Sequence, residues 1–166
     1  MSIVDDYRKS SDSKKPEILQ EIEFEDIPGK WALLHSVIAD KDEYDLARIQ
    51  ALKILEIAGV PEEDVPSFCD LLGTVIKTDK DCDVKNYAVI ASKNFVNDSD
   101  ELKELIIKIL LDANEDIDIR HNAYRAVLAF FDVAGRKVVL EKLSSDKAMG
   151  KLAVIDLASF ESKTEE

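Results

Sequence analysis

Apolar residues recur along this chain at helical spacing rather than in alternation. Val84, Tyr87, Ala88, Ala91 and Phe95 mark one stripe, Leu102, Leu105, Ile106, Ile109 and Leu110 a second, and Ile119, Ala123, Ala126, Val127 and Phe130 a third. Residues three and four apart share one face of a 3.6-residue helix, so each stripe predicts an amphipathic helix with one side in a core. Leu46, Ile49, Leu52 and Leu55 predict another, stopped by Gly59, and Pro61 suits the opening of the next. Ile18, Leu19 and Ile22 predict a short helix ended by the turn dipeptide Pro28-Gly29, followed by a helix from Trp31 to Ile38. Further apolar helices are expected over 64–76, 101–111, 136–143 and 148–160. The segment from Lys137 to Leu140 would pass for a strand only in isolation, so the expected fold class is all-α. Residues 1–15, polar and rich in Ser, Asp and Lys, read as a flexible leader before a single domain over 16–166.

The helices also repeat. Arg48-Ile-Gln-Ala51, Lys85-Asn-Tyr-Ala88 and Arg120-His-Asn-Ala123 each set a basic residue three positions before an alanine near a helix start, 37 and then 35 residues apart. Acidic residues precede each one, and a second apolar helix follows. Such units cannot bury their own stripes alone and do so by stacking, with the small alanine permitting close approach. The basic residue is placed to bond an acid in the adjacent turn. Asp118-Ile119-Arg120-His121-Asn122-Ala123 resembles the opening of a HEAT-like repeat. Asp83-Val84-Lys85-Asn86-Tyr87-Ala88 follows it with Lys for Arg, while Ala47 before Arg48 departs from it. The resemblance covers about 42–160 and implies an α-α superhelix, a solenoid of about four helix pairs.

Composition sharpens the functional expectation. The 166 residues carry 35 Asp and Glu against 22 Lys and Arg, a formal net charge of −13. With 46% hydrophobic residues the composition is that of a globular protein. An acidic surplus repels phosphate backbones, which excludes general nucleic-acid binding. No apolar run approaches the roughly 18 residues of a membrane span, and no apolar signal core opens the chain. Cys69 and Cys82 are too few for a disulfide scaffold and point to a reducing, cytoplasmic setting.

Acids concentrate at Asp40–Asp45, Asp79–Asp83, Asp98–Glu101 and Asp112–Asp118. Helix capping accounts for one or two carboxylates per helix, and Asp98-Ser-Asp-Glu101 has capping-box spacing. The excess points to a basic partner. Asp81-Cys-Asp83 and Asp116-Ile-Asp118 alternate carboxylates but lack the central Gly and terminal Glu of an EF-hand, and Cys69, Cys82, His35 and His121 lack zinc-ligand spacing. No metal or cofactor is therefore expected. Without a phosphate-binding Gly-rich loop, nucleophile elbow or His-Glu helix motif, no enzymatic activity is expected either. Cys69 is expected in the core, Tyr87 on a buried stripe, Tyr124 between faces and partly exposed, and Trp31 between the first helices and the first repeat.

A small acidic HEAT-like chain without a catalytic motif is similar to the immunity proteins of bacterial toxin–immunity systems of the contact-dependent growth inhibition type. That resemblance implies one-to-one neutralisation of a cognate toxin domain, a nuclease (an RNase) above all, by occlusion of its active site. It transfers no signature residue. Second helices of solenoids line the concave side, which makes Glu62, Glu63, Asp70, Glu101, Glu104, Asp112 and Glu141 the candidate partner contacts, with the turn acids Asp79 and Asp116 beside them. The alternative expectation is a non-catalytic HEAT-like adaptor or scaffold within a larger complex.

Overall fold

The computed structural model describes residues 3–162, and among these every regular element is helical. In chain order the helices are α1 (Ile3–Lys9), α2 (Lys15–Glu21), α3 (Lys30–Ala39), α4 (Asp45–Ile57), α5 (Val65–Thr78), α6 (Cys82–Ser92), α7 (Asp100–Leu111), α8 (Ile117–Leu128), α9 (Val133–Leu143) and α10 (Gly150–Ser162). They form two rows. The even-numbered helices α2, α4, α6 and α8 each pack on the next, and so do the odd-numbered α3, α5, α7 and α9. Across the rows the closest pairs are α3 with α4, α5 with α6, α7 with α8 and α9 with α10. The sequence grouping paired each even helix with the one after it, so the observed pairing is shifted by one helix. Arg48 and Arg120 favour this pairing, since each bonds a carbonyl in the last turn of the odd-numbered helix before its own.

One apolar cluster runs from Tyr7 to Ala153 through both rows. Ala51, Ala88 and Ala123, the repeated alanines, are fully buried, in keeping with their role as points of close approach. Phe68 gathers Trp31, His35 and Phe95 around it, with ring centroids 6.3, 5.5 and 6.3 Å away. Trp31 thereby joins α3 to α5, as expected. Cys69 is buried and Cys82 is exposed.

Four sequence expectations need correction. Residues 3–15 are not a loose leader: α1 and a 3-10 turn over 12–14 fold back on the domain, and Tyr7 is buried. Residues 1–2 of that stretch lie outside the described residues. Tyr124 is buried, and its hydroxyl donates to the Asp156 carboxylate of α10, because the last helix covers a position that a lone helical wheel leaves between faces. Helix α7 is capped by Ser99, whose hydroxyl oxygen accepts from the Leu102 N–H at 3.2 Å, so Asp98 and Glu101 are not its capping box. Helix α9 starts at Val133, earlier than its apolar stripe suggests, because the Asp132 carboxylate accepts the Gly135 N–H at 2.9 Å.

The repeated basic residues tie the rows together. Arg48 of α4 is 2% exposed; its Nε and Nη2 donate to the Ile38 carbonyl at the end of α3, and Nη2 also reaches Asp79 beyond α5 at 2.5 Å. Arg120 of α8 repeats the arrangement, donating to Leu110 of α7 at 3.0 Å and to Asp146 beyond α9 at 2.6 Å. Lys15 with Glu43 and Lys85 with Glu115 form the equivalent pairs, each at 2.6 Å, in more exposed settings. Removing one partner of a buried pair strands the other charge, whereas a partly solvated pair is worth little. Arg48→Met is therefore expected to cost about 3 kcal/mol and Lys85→Met about 1 kcal/mol or less, read as free energies of unfolding from urea titrations. Equal losses at the two positions would contradict this ranking.

Candidate functional site

The acidic residues divide by what their carboxylates do. The turns that follow α3, α5, α7 and α9 each carry an Asp whose Oδ1 accepts a backbone N–H two residues on: Asp40 from Asp42, Asp79 from Asp81, Asp112 from Asn114 and Asp146 from Ala148. This is the Asx turn, in which a short side chain takes the place of a backbone carbonyl. Asp81 and Asp116 are N-caps, accepting from Val84 at 2.8 Å and from Asp118 and Ile119 at 2.9 and 3.3 Å. Glu43, Asp79, Glu115 and Asp146 are the acid halves of the ion pairs. This end of the helix pairs spends most of its negative charge on holding the fold, and among the described residues no group of three or more His, Cys, Asp or Glu is disposed to hold a metal.

The sequence-derived contact set is correspondingly split. Asp79 is placed inside: its side chain is 5% exposed and bound to Arg48, so it offers nothing to a partner. Glu62, Glu63, Asp70, Glu101, Glu104, Asp112, Asp116 and Glu141 are exposed. Asp70 of α5 and Glu101 of α7 line one groove of about 220 Å³, together with Lys77. Asp112 and Asp116 lie in the α7–α8 turn, away from that groove, and Glu141 stands on α9 beside Lys137 and Lys142. Helix α7 offsets Asp100, Glu101 and Glu104 with Lys103 and Lys108, and α9 has a single acid against Arg136, Lys137 and Lys142. The odd-numbered helices therefore carry no acidic wall.

Further acids, most of them exposed, lie at the opposite ends of the helix pairs. Glu23, Glu25 and Asp26 sit in the turn between α2 and α3, and Glu62 and Glu63 in the turn between α4 and α5. The two turns share a groove of about 440 Å³ lined by Glu23, Phe24, Trp31, Ile57, Ala58 and Pro61 among others. Phe24 is 83% and Ile57 53% exposed. Beneath the first turn, Lys30 is buried and donates to the carbonyls of Glu23 at 2.6 Å and Glu25 at 3.1 Å. Gly29, with φ of 81°, supplies the left-handed residue that lets the turn enter α3. Burial pulls the Lys30 ammonium below its ordinary pKa, against the opposing pull of Asp26, Glu23 and Glu25. Sequence reasoning missed Glu23, Phe24, Glu25 and Asp26. The available signal was an aromatic between acids that joins no helical stripe.

No protein-family model, curated protein or solved structure matches this chain. The chemistry of its surfaces therefore carries the functional argument.

The same end of the helix pairs is stapled farther along by two asparagines of the α6–α7 turn. Asn94 at the end of α6 donates to the carbonyls of Leu55 and Glu56, 3.2 and 2.5 Å away, and Asn97 donates to Ala129 while accepting from the Phe131 N–H at 2.8 Å. Phe131 is 84% exposed. His121 is exposed, and its Nδ1 bonds the Ile117 carbonyl of its own helix at 2.8 Å.

Acid titration tests the engaged set. Burial raises the carboxyls of Asp79 and Glu43, but Arg48 and the Asp81 N–H in one case, and Lys15, Tyr44 and Tyr7 in the other, outweigh it and leave both below their ordinary values. Arg120 and the N–H groups of Met149 and Ala148 hold Asp146 down in the same way. A carboxyl whose folded pKa is depressed stabilises the fold fully above its unfolded value, near 4, and the stabilisation disappears as pH falls through the folded value. The melting temperature is thus expected to hold from pH 7 to about 5 and to fall below about pH 4. Asp79→Asn should melt lower at pH 7 and show a shallower acid limb. An unchanged acid limb in that variant would remove the pair from the account.

Proposed function

We propose that this chain is a HEAT-like solenoid of about four helix pairs that binds a cognate basic toxin domain, a nuclease of the RNase kind, and neutralises it by covering its active site with an acidic surface. One observation carries the reading: the chain leaves carboxylates such as Glu23, Glu25, Glu62 and Glu63 unspent on structure, at one end of helices whose own charges nearly balance. Unpaired like charges destabilise a compact fold by repulsion, and a cationic partner relieves that cost while being steered onto the surface. Nucleases grip phosphate through Lys and Arg, so a carboxylate-bearing surface fits the same cleft and keeps the nucleic acid out. The two rows of helices, with their repeated basic residue and alanine, support the solenoid reading.

The adaptor alternative has its own support in Val133, Val138, Val154 and Ile155, which leave apolar surface exposed on α9 and α10. A partner docked there would be apolar rather than basic.

Affinity purification from the native cell tests the two. The expected partner is a Lys- and Arg-rich domain recovered at one-to-one stoichiometry. Its RNA cleavage should stop on addition of the chain, and its association rate should fall about tenfold or more as ionic strength rises. Recovery of only neutral or acidic partners, or full cleavage at saturating chain, would refute the proposal.

A further inference from the structure

The groove between the α2–α3 and α4–α5 turns brings carboxylates and exposed apolar side chains together. Glu23, Glu25 and Asp26 line it, and Glu62 and Glu63 follow the lining residue Pro61 in sequence without lining it themselves. Its apolar lining is Phe24, Trp31, Ile57, Ala58 and Pro61, beside Lys30 and Gly59. Scattered exposed hydrophobes are ordinary, but a nearly bare phenylalanine beside a half-buried tryptophan in a groove has the makeup of an anchor pocket. The loop is also held in shape before anything binds. Lys30 spends its ammonium on the Glu23 and Glu25 carbonyls, and its Nζ stands 5.0 Å from the centroid of the Trp31 ring. A fixed loop loses little conformational entropy on binding.

We infer that this groove is where the partner docks, and that its occupant is a segment of a basic polypeptide presenting an aliphatic or aromatic side chain flanked by Lys or Arg. The inference rests on the basic-partner reading above and gives it a location. Charge and polarity select that occupant together. A purely cationic strand would leave Phe24 and Ile57 in water. A neutral apolar segment would dehydrate the rim carboxylates without compensation, which is costly. An anionic lipid surface is repelled, and a second copy docked through the same acidic groove brings like charges face to face.

The single tryptophan of the chain, Trp31, lines the groove and reports on its occupancy. The probes are two tryptophan-free synthetic peptides of equal length and charge, one alternating Lys and Leu, the other Lys and Ser. The Lys–Leu peptide should change Trp31 emission and saturate at one-to-one, and the Lys–Ser peptide should bind at least tenfold more weakly. Phe24→Ser should weaken the Lys–Leu peptide about tenfold, the loss typical of an interface anchor. Its side chain is largely in water, so the melting temperature should stay at the parent value. Glu62→Lys with Glu63→Lys should weaken binding by a similar factor, while Glu101→Lys with Glu104→Lys should leave it within about twofold. Several results overturn the groove. Calorimetric binding with silent Trp31 emission and no effect of Phe24→Ser places the basic ligand elsewhere, with toxin neutralisation still intact. Absence of calorimetric binding by either peptide removes the groove, and the RNA-cleavage assay then decides the basic-partner reading separately. Sedimentation of the free chain as a dimer that Phe24→Ser dissolves makes the occupant a second copy.

Discussion

A guanidinium removed from water has to find acceptors, and the places where it finds them fix the geometry of this fold. Arg48 is nearly inaccessible and satisfies itself on the last turn of α3 and on Asp79 beyond α5, so one side chain of α4 sets the positions of the helices on either side. Arg120 does the same for α7 and the turn beyond α9. Buried pairs contribute little net stability over an apolar alternative, yet losing either half is expensive. Their effect is to penalise every arrangement in which a helix has slipped relative to its neighbours. Lys15 and Lys85 make the same connection nearer to solvent, where a flexible ammonium serves.

The apolar core supplies the cohesion that these charges direct. Ala51, Ala88 and Ala123 bring the even-numbered helices close, and the Phe68 cluster fills the space between α3, α5 and the turn after α6. At the far ends, Asn94 and Asn97 supply donors to carbonyls that α4 and α8 leave free at their C-termini. Backbone satisfaction and stacking are thus achieved by the same residues.

A consequence of this economy is that the negative charge of the chain is of two kinds. Asx turns, caps and ion pairs absorb acids after α3, α5, α7 and α9. Across the molecule, the acids around Phe24 and Pro61 take no such part. A net charge of −13 thus overstates how much field any single face presents, and the carboxylates of the α2–α3 turn lie against exposed apolar side chains.

Helical class, most helix limits and the core positions of Cys69 and Tyr87's stripe could be read in the sequence, because they depend on residues three, four or seven apart within one element, and the lateral role of the repeated Arg and Lys could be read from their recurrence before an acidic turn. Other features depend on which separate segments meet. Asp79 looks like any other turn acid until Arg48 is found against it, Tyr124 is exposed or buried according to where α10 lies, and the N-terminal helix is ordered because Tyr7 has a core to enter. The groove at Phe24 joins turns more than thirty residues apart, a distance over which hydrophobic periodicity carries no information. Local spacing determined the helices of this protein, and only their packing decided which of its charges remain free to act.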